Sequence, residues 1–121
     1  MPRTARTVRW TVTGGLAVAM LAEFHGAVAE PPAVVQITAH RFEFTPAEVT
    51  LERGKPVILR LTSQDVTHGF YSKQLRLDEL IEHDKVLDVP LTPSEAGRFT
   101  VICDHFCGAG HGNMKMVVVV K

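Results

Sequence analysis

The 121-residue chain has few of the residue types that mark several common protein classes. It contains two cysteines, one tryptophan and one tyrosine, and its 13 basic residues are balanced by 13 acidic ones. Two cysteines cannot support a disulfide-rich scaffold. A formal net charge of zero lacks the surplus of Lys and Arg with which a nucleic-acid-binding domain neutralises phosphates. The sequence therefore predicts one small domain with no nucleic-acid partner.

The first thirty residues contain a hydrophobic run that is too short for an ordinary membrane span. Residues 10–22 are apolar over about 13 positions, whereas a transmembrane helix needs roughly 20. Three arginines precede this run and small residues follow it at 27–29, an order typical of a secretory signal peptide. We therefore expect residues 1–29 to be a signal peptide and residues 30–121 to form a periplasmic or otherwise extracytoplasmic domain. The alternative is an uncleaved anchor at 1–29, which would be the chain's one attachment to a membrane.

Beyond residue 32 the apolar residues occur in short alternating or β-branched segments. These segments cover residues 34–39, 49–51, 57–62, 86–91, 99–102 and 115–120, with turn-forming Gly and Pro residues between them. Residues 75–83 are expected to form one or two helical turns, because Leu77, Leu80 and Ile81 would share one face. Six or more strands in about 90 residues predict an all-β, Greek-key β-sandwich.

Soft metal ligands are concentrated in one twelve-residue segment near the end of the chain. It supplies two thiols, two imidazoles and a thioether, from Cys103, His105, Cys107, His111 and Met114. Ligand sets of this kind select copper in preference to hard cations. Glycines at 108, 110 and 112 would let the segment bend tightly so that its ligands converge. A further imidazole is available at His68, which we expect at a loop end of the same sandwich.

The motif C-x3-C-x3-H-x2-M at 103–114, with the element D-V-T-H-G-F at 65–70, resembles the CuA domain of cytochrome c oxidase subunit II and that of nitrous oxide reductase. The resemblance covers roughly residues 34–121. It implies a cupredoxin fold that holds a dinuclear copper centre and passes single electrons. The ligands it implies are two bridging thiolates, two terminal imidazoles, a weak axial thioether and a weak backbone carbonyl, from Cys103, Cys107, His68, His111, Met114 and His105 respectively. A histidine at position 105 departs from the Glu, Gln or aromatic residue usual in the family.

The resemblance also implies partners. The donor would be a c-type cytochrome or another cupredoxin, and the acceptor would be a terminal oxidase. No catalytic site is expected in the chain itself, since protein ligands would fill every strong coordination position, although the chain could be the electron-entry subunit of an oxidase. A periplasmic copper storage or delivery protein is the alternative function.

On the residues alone, three other sites stay open. An oxidising compartment would permit a Cys103–Cys107 disulfide. A structural zinc ion could use both cysteines with His68 and His111. A mononuclear blue-copper site would need only Cys107 of the two thiols, and would leave Cys103 as a small apolar side chain. Zinc leaves Met114 without a role, and a disulfide leaves the imidazoles without one.

Overall fold

The computed structural model describes residues 30–121 and the isolated positions 11, 14, 15 and 26. Apart from these four positions, the expected signal segment at 1–29 lies outside the described residues. In the part of the chain that is described, no helix has both the length and the apolar character needed to cross a membrane. Residues 30–121 form nine strands and one short 3-10 helix.

Short connections join the strands, except for the longer ligand segment between β8 and β9. In chain order they are β1 (Ala33–His40), β2 (Glu43–Thr45), β3 (Glu48–Leu51), β4 (Val57–Ser63), β5 (His68–Ser72), β6 (Leu77–Ile81), β7 (Leu87–Leu91), β8 (Gly97–Ile102) and β9 (Lys115–Val120). The 3-10 helix, His111–Asn113, immediately precedes the last strand. All six segments expected to be strands contain one, whereas β2, β5 and β6 were not predicted.

The nine strands form two sheets. The four-stranded sheet has the order β2-β1-β4-β7, and the five-stranded sheet has the order β3-β9-β8-β5-β6. Strands β1 and β4 pair in parallel, as do β3 and β9, and the other pairs are antiparallel. Neighbours within each sheet are mostly distant in sequence, as Greek-key connections require. The predicted all-β sandwich is therefore confirmed.

Apolar side chains from both sheets form one continuous core. The fully buried members include Ile37, Leu59 and Leu61 from the four-stranded sheet and Phe70, Val101 and Val118 from the five-stranded sheet. Phe44 and Phe70 meet edge to face, with ring centroids 5.6 Å apart. Each large apolar side chain buried in this way contributes about 1.5–3 kcal/mol to the free energy of unfolding. The core thus holds in place the strands that carry the loops at the ends of the sandwich.

Residues 75–83 contain strand β6 and no helical turn, so the prediction of helical turns there was wrong. Strand β6 pairs antiparallel with β5, with Ile81 opposite His68 and Leu77 opposite Ser72. The helical pattern placed Leu80 on the buried face, yet Leu80 is 51% exposed. An isolated helix this short is marginal, and pairing with β5 satisfies the backbone instead. The pairing also supports the strand that carries His68.

Candidate metal centre

The predicted metal ligands meet at one end of the sandwich. His68 is the first residue of β5, Cys103 directly follows β8, and the remaining predicted ligands lie between β8 and β9. Strands β5 and β8 are antiparallel neighbours in the five-stranded sheet. The beginning of β5 therefore lies beside the end of β8, which brings together two motifs about 35 residues apart in sequence.

The sulfur atom of Cys107 lies close to three other predicted ligands. Its Sγ atom lies 3.6 Å from Cys103 Sγ, 3.7 Å from His111 Nδ1 and 3.8 Å from Met114 Sδ. Both cysteines are free thiols and both are buried. Three of the four side chains that the motif at 103–114 was predicted to contribute thus lie around the sulfur atom of the fourth, Cys107.

His68 brings an imidazole to the two thiols from the neighbouring strand. One of its ring nitrogens and the two cysteine Sγ atoms all lie within 4.8 Å of one another. The side chain is fully buried, and its Nε2 lies 2.7 Å from Asp65 Oδ1, while its Nδ1 has no hydrogen-bond partner. An unsatisfied buried polar atom costs about 1–3 kcal/mol. A metal ion held by the two thiols and this imidazole would give the buried nitrogen a partner, so these residues fit a soft metal.

Asp65 sets the orientation and the tautomer of His68. Burial acts to raise the pKa of Asp65, but hydrogen bonds from the Arg41 amide, the His68 ring and the Val66 amide outweigh it and hold that pKa well below its usual range. The ionised carboxylate can only accept, so His68 must carry its proton on Nε2. The Nδ1 lone pair is then free for a metal, as in other carboxylate–histidine–metal arrangements.

Two backbone groups contact the sulfur of Cys103. The Gly69 amide donates to Sγ over 3.3 Å, and Sγ donates to the His105 carbonyl oxygen over 3.1 Å. His105 as a residue is exposed to solvent. Its carbonyl oxygen therefore lies against the site, and this is the atom to which the resemblance assigned a role.

The pKa of Cys107 reflects its enclosed position. Burial raises the pKa of this thiol to about 11, the neighbouring Cys103 acts in the same direction, and Arg41 acts in the opposite direction. The thiol is therefore protonated at neutral pH in the metal-free protein. A metal ion that binds here must displace that proton.

Two glycines allow the ligand segment to pack against Phe42. Gly108 has a φ of +145°, and a Cβ atom at this position would lie 2.9 Å from the Phe42 ring. At Gly110 a Cβ atom would lie 2.5 Å from the same ring. Gly112, by contrast, has open space around it. The prediction that glycines shape this segment thus has a physical reason at two of the three positions.

Arg41 belongs to the site although no motif indicated it. Its backbone N–H donates to Asp65 Oδ2 and its Nε donates to the Cys107 carbonyl oxygen, each over 2.7 Å. The two partners are 24 and 66 residues away in sequence. Contacts of this range follow from strand pairing, so the local sequence around Arg41 carried no signal for them.

A two-sheet sandwich with two buried thiols, a buried imidazole, a half-buried imidazole and a buried thioether at one end is typical of a metal-binding β-domain of the cupredoxin type. In agreement with this, the sequence-family model of the cupredoxin-like domain matches residues 13–120, and the chain belongs to that family. Cytochrome c oxidase subunit 2 of Thermus thermophilus is 31% identical over 87 residues, which cover 72% of this chain and 64% of the relative. In a second, longer subunit 2 from the same species the match covers 52% of the relative. The chain thus spans about half to two thirds of the length of these relatives.

Two further comparisons agree. The nitrous-oxide reductase of Cupriavidus necator is 30% identical over 91 residues, which cover 72% of this chain and 14% of the reductase. The periplasmic domain of subunit II of the Bradyrhizobium japonicum cytochrome oxidase has the same fold, with a TM-score of 0.69 and 15% identity over 78% of this chain and 87% of that domain. The predicted resemblance to these two kinds of protein and the cupredoxin fold are therefore confirmed.

Proposed function

We propose that the chain is an extracytoplasmic one-electron carrier with a dinuclear, CuA-type copper centre. The observation that supports this most strongly is the pair of buried free thiols with sulfur atoms 3.6 Å apart. A mononuclear site needs one thiolate, whereas two adjacent thiolates can bridge two ions. In this proposal the thiolates of Cys103 and Cys107 would be shared by the two ions, the imidazoles of His68 and His111 would be the other strong ligands, and Met114 and the His105 carbonyl would bind weakly.

The surrounding residues would hold the ligands still during electron transfer. Copper, when bound, supplies a centre that gains and loses one electron. The paired strands β5 and β8 fix His68 and Cys103, and the Asp65 carboxylate fixes the His68 ring. Cys103 and Cys107 are only 3% and 5% exposed, so little water would reorganise when the charge changes. These features suit a carrier.

An exposed aromatic residue beside the site would provide contact with redox partners. Phe106 is 75% exposed, and its ring centroid lies 6.0 Å from that of His111. We propose a c-type cytochrome or another cupredoxin as donor and a terminal oxidase as acceptor. Support comes from two of the similar proteins, a cytochrome c oxidase subunit 2 and the periplasmic domain of subunit II of a cytochrome oxidase. The second of these, a periplasmic domain, also supports the extracytoplasmic location.

One observation favours a second function, copper storage or delivery. Among the described residues, the group whose ligand atoms all lie within 4.8 Å of one another contains only His68, Cys103 and Cys107. Three ligands of this kind could hold a single ion and release it to an acceptor. The two functions differ in exchange, because a carrier must keep its copper through many redox cycles.

Electron paramagnetic resonance of the copper-loaded protein tests the proposed centre. An electron shared equally between two copper nuclei gives a seven-line hyperfine pattern, whereas a single copper gives four lines. We expect the seven-line pattern together with two copper ions per chain. A four-line spectrum at one copper per chain would show that the centre is mononuclear.

Repeated oxidation and reduction in the presence of a copper-free acceptor protein separates the carrier from the delivery protein. The carrier should retain its copper and its spectrum through many cycles. Transfer of most of the metal to the acceptor within a few cycles would favour delivery.

A further inference from the structure

Arg41 connects the two parts of the chain that provide the proposed ligands. Its backbone N–H donates to the Asp65 carboxylate, which in turn holds the His68 ring. Its side-chain Nε donates to the carbonyl oxygen of Cys107. One residue outside both motifs is therefore bonded to the loop before β5 and to the segment between β8 and β9.

The side chain of Arg41 also lies against the bend of the ligand segment. A Cβ atom on Gly108 would be 3.4 Å from Arg41 Nε, and it would be 2.9 Å from the ring of Phe42, the next residue. Arg41 thus restrains the segment by a hydrogen bond, while Phe42 restrains it by packing. Both restraints act next to Cys107, the residue whose sulfur contacts three other proposed ligands.

We propose that Arg41 is a positioning residue of the metal centre, which holds Cys107 in register with His68 and places a positive charge beside the thiolate pair. This inference rests on the copper site proposed above. A guanidinium group suits the role because its Nε–H is held in a rigid plane and its charge persists at any physiological pH. The charge should favour the reduced centre, because reduction adds an electron close to it.

Two substitutions separate the hydrogen bond from the charge. Arg41→Met removes both and keeps a long apolar stem, whereas Arg41→Lys keeps the charge and loses the planar donor. Both leave the backbone bond to Asp65 in place. The matched control is Arg98→Met. Arg98 forms a surface ion pair with Glu48 at 3.2 Å, and it lies near the start of β8, whereas the ligand segment follows the end of that strand.

Hydrogen exchange in the metal-free protein tests positioning without copper. We expect amides in residues 103–114 to exchange about tenfold faster in Arg41→Met than in the parent or in Arg98→Met, with Arg41→Lys between them. This readout remains valid if the parent protein binds no copper, an outcome that would defeat the proposed function alone. Equal exchange in all four proteins would overturn the positioning role.

The copper-loaded protein tests both the hydrogen bond, through copper retention, and the charge, through the reduction potential. Loss of an outer hydrogen-bond partner typically weakens metal binding about 10–100-fold, and we expect copper loss to a chelator to accelerate within that range in Arg41→Met. The reduction potential should fall in Arg41→Met and stay near the parental value in Arg41→Lys. A potential that falls equally in both variants, or in neither, would overturn the proposed effect of charge.

Discussion

The Sγ atoms of Cys103 and Cys107 lie 3.6 Å apart, at hydrogen-bond distance and without a disulfide bond between them. Cys103 follows the last residue of β8, and Cys107 lies four residues further on. Two hydrogen bonds of Cys103 Sγ, with Gly69 and His105, hold one member of the pair, and one hydrogen bond from the Arg41 side chain to the Cys107 carbonyl oxygen holds the other. The pair is thus positioned by its surroundings, as a metal centre that uses both thiolates would require.

Removing one bridging thiol should destroy the dinuclear centre. We expect Cys103→Ser to lose the seven-line spectrum and to bind at most one copper, because a hydroxyl is a poor bridge between soft ions. The comparison variant is Met114→Leu, which nearly conserves volume in the core. It should keep two copper ions and the spectrum, with a changed reduction potential. A parental spectrum in Cys103→Ser would show that this thiol is not a ligand.

The charge of Asp65 should be needed for tight metal binding. In Asp65→Asn the amide no longer forces the His68 proton onto Nε2, so a part of the molecules would carry it on Nδ1 and could not bind through that atom. We expect the dissociation constant for copper to rise about 10–100-fold, measured by competition with a chelator. Asp104→Asn removes one charge from the ligand segment, leaves the Asp65–His68 hydrogen bond in place and serves as the control. Equal losses in both variants would indicate a simple charge effect.

The contact of Phe42 with the ligand segment predicts different effects for two neighbouring glycines. Gly110→Ala would place a methyl group 2.5 Å from the ring, and overpacking of this kind costs about 1–3 kcal/mol. Gly112→Ala meets open space and should change the free energy of unfolding by less than about 0.5 kcal/mol. Urea unfolding of the metal-free proteins measures both values. Indistinguishable midpoints for the two variants would contradict the packing.

The raised pKa of Cys107 predicts how the stability of the metal-free protein depends on pH. The folded-state pKa of about 11 lies above the ordinary thiol value of 9.0, so folding favours the neutral thiol. Its contribution is complete below about pH 9 and is lost as the pH rises through 11. In reductant, the urea midpoint should therefore fall more steeply between pH 9 and 11 in the parent than in Cys107→Ala. Parallel curves would mean that the thiol ionises equally in the folded and unfolded states.

The sequence predicted those features that depend on short stretches of chain. The β-branched segments predicted six of the strands, and the spacing of residues between Cys103 and Met114 predicted a group of metal ligands on one segment. Strand β6 was missed because it depends on pairing with β5. The spacing of Leu77, Leu80 and Ile81, taken alone, is that of one face of a helix. Arg41 was missed for the same kind of reason, since its partners are 24 and 66 residues away. Contacts between residues far apart in sequence support this site, and a short motif cannot predict them.

X-ray absorption at the copper edge tests the central proposal most directly, because it detects one copper atom as a neighbour of another. The fully loaded parent protein should show both sulfur and copper scattering around each absorbing ion, and Cys103→Ser should lose the copper component. A fully loaded parent protein whose copper has sulfur and nitrogen neighbours but no second metal would contradict the dinuclear centre.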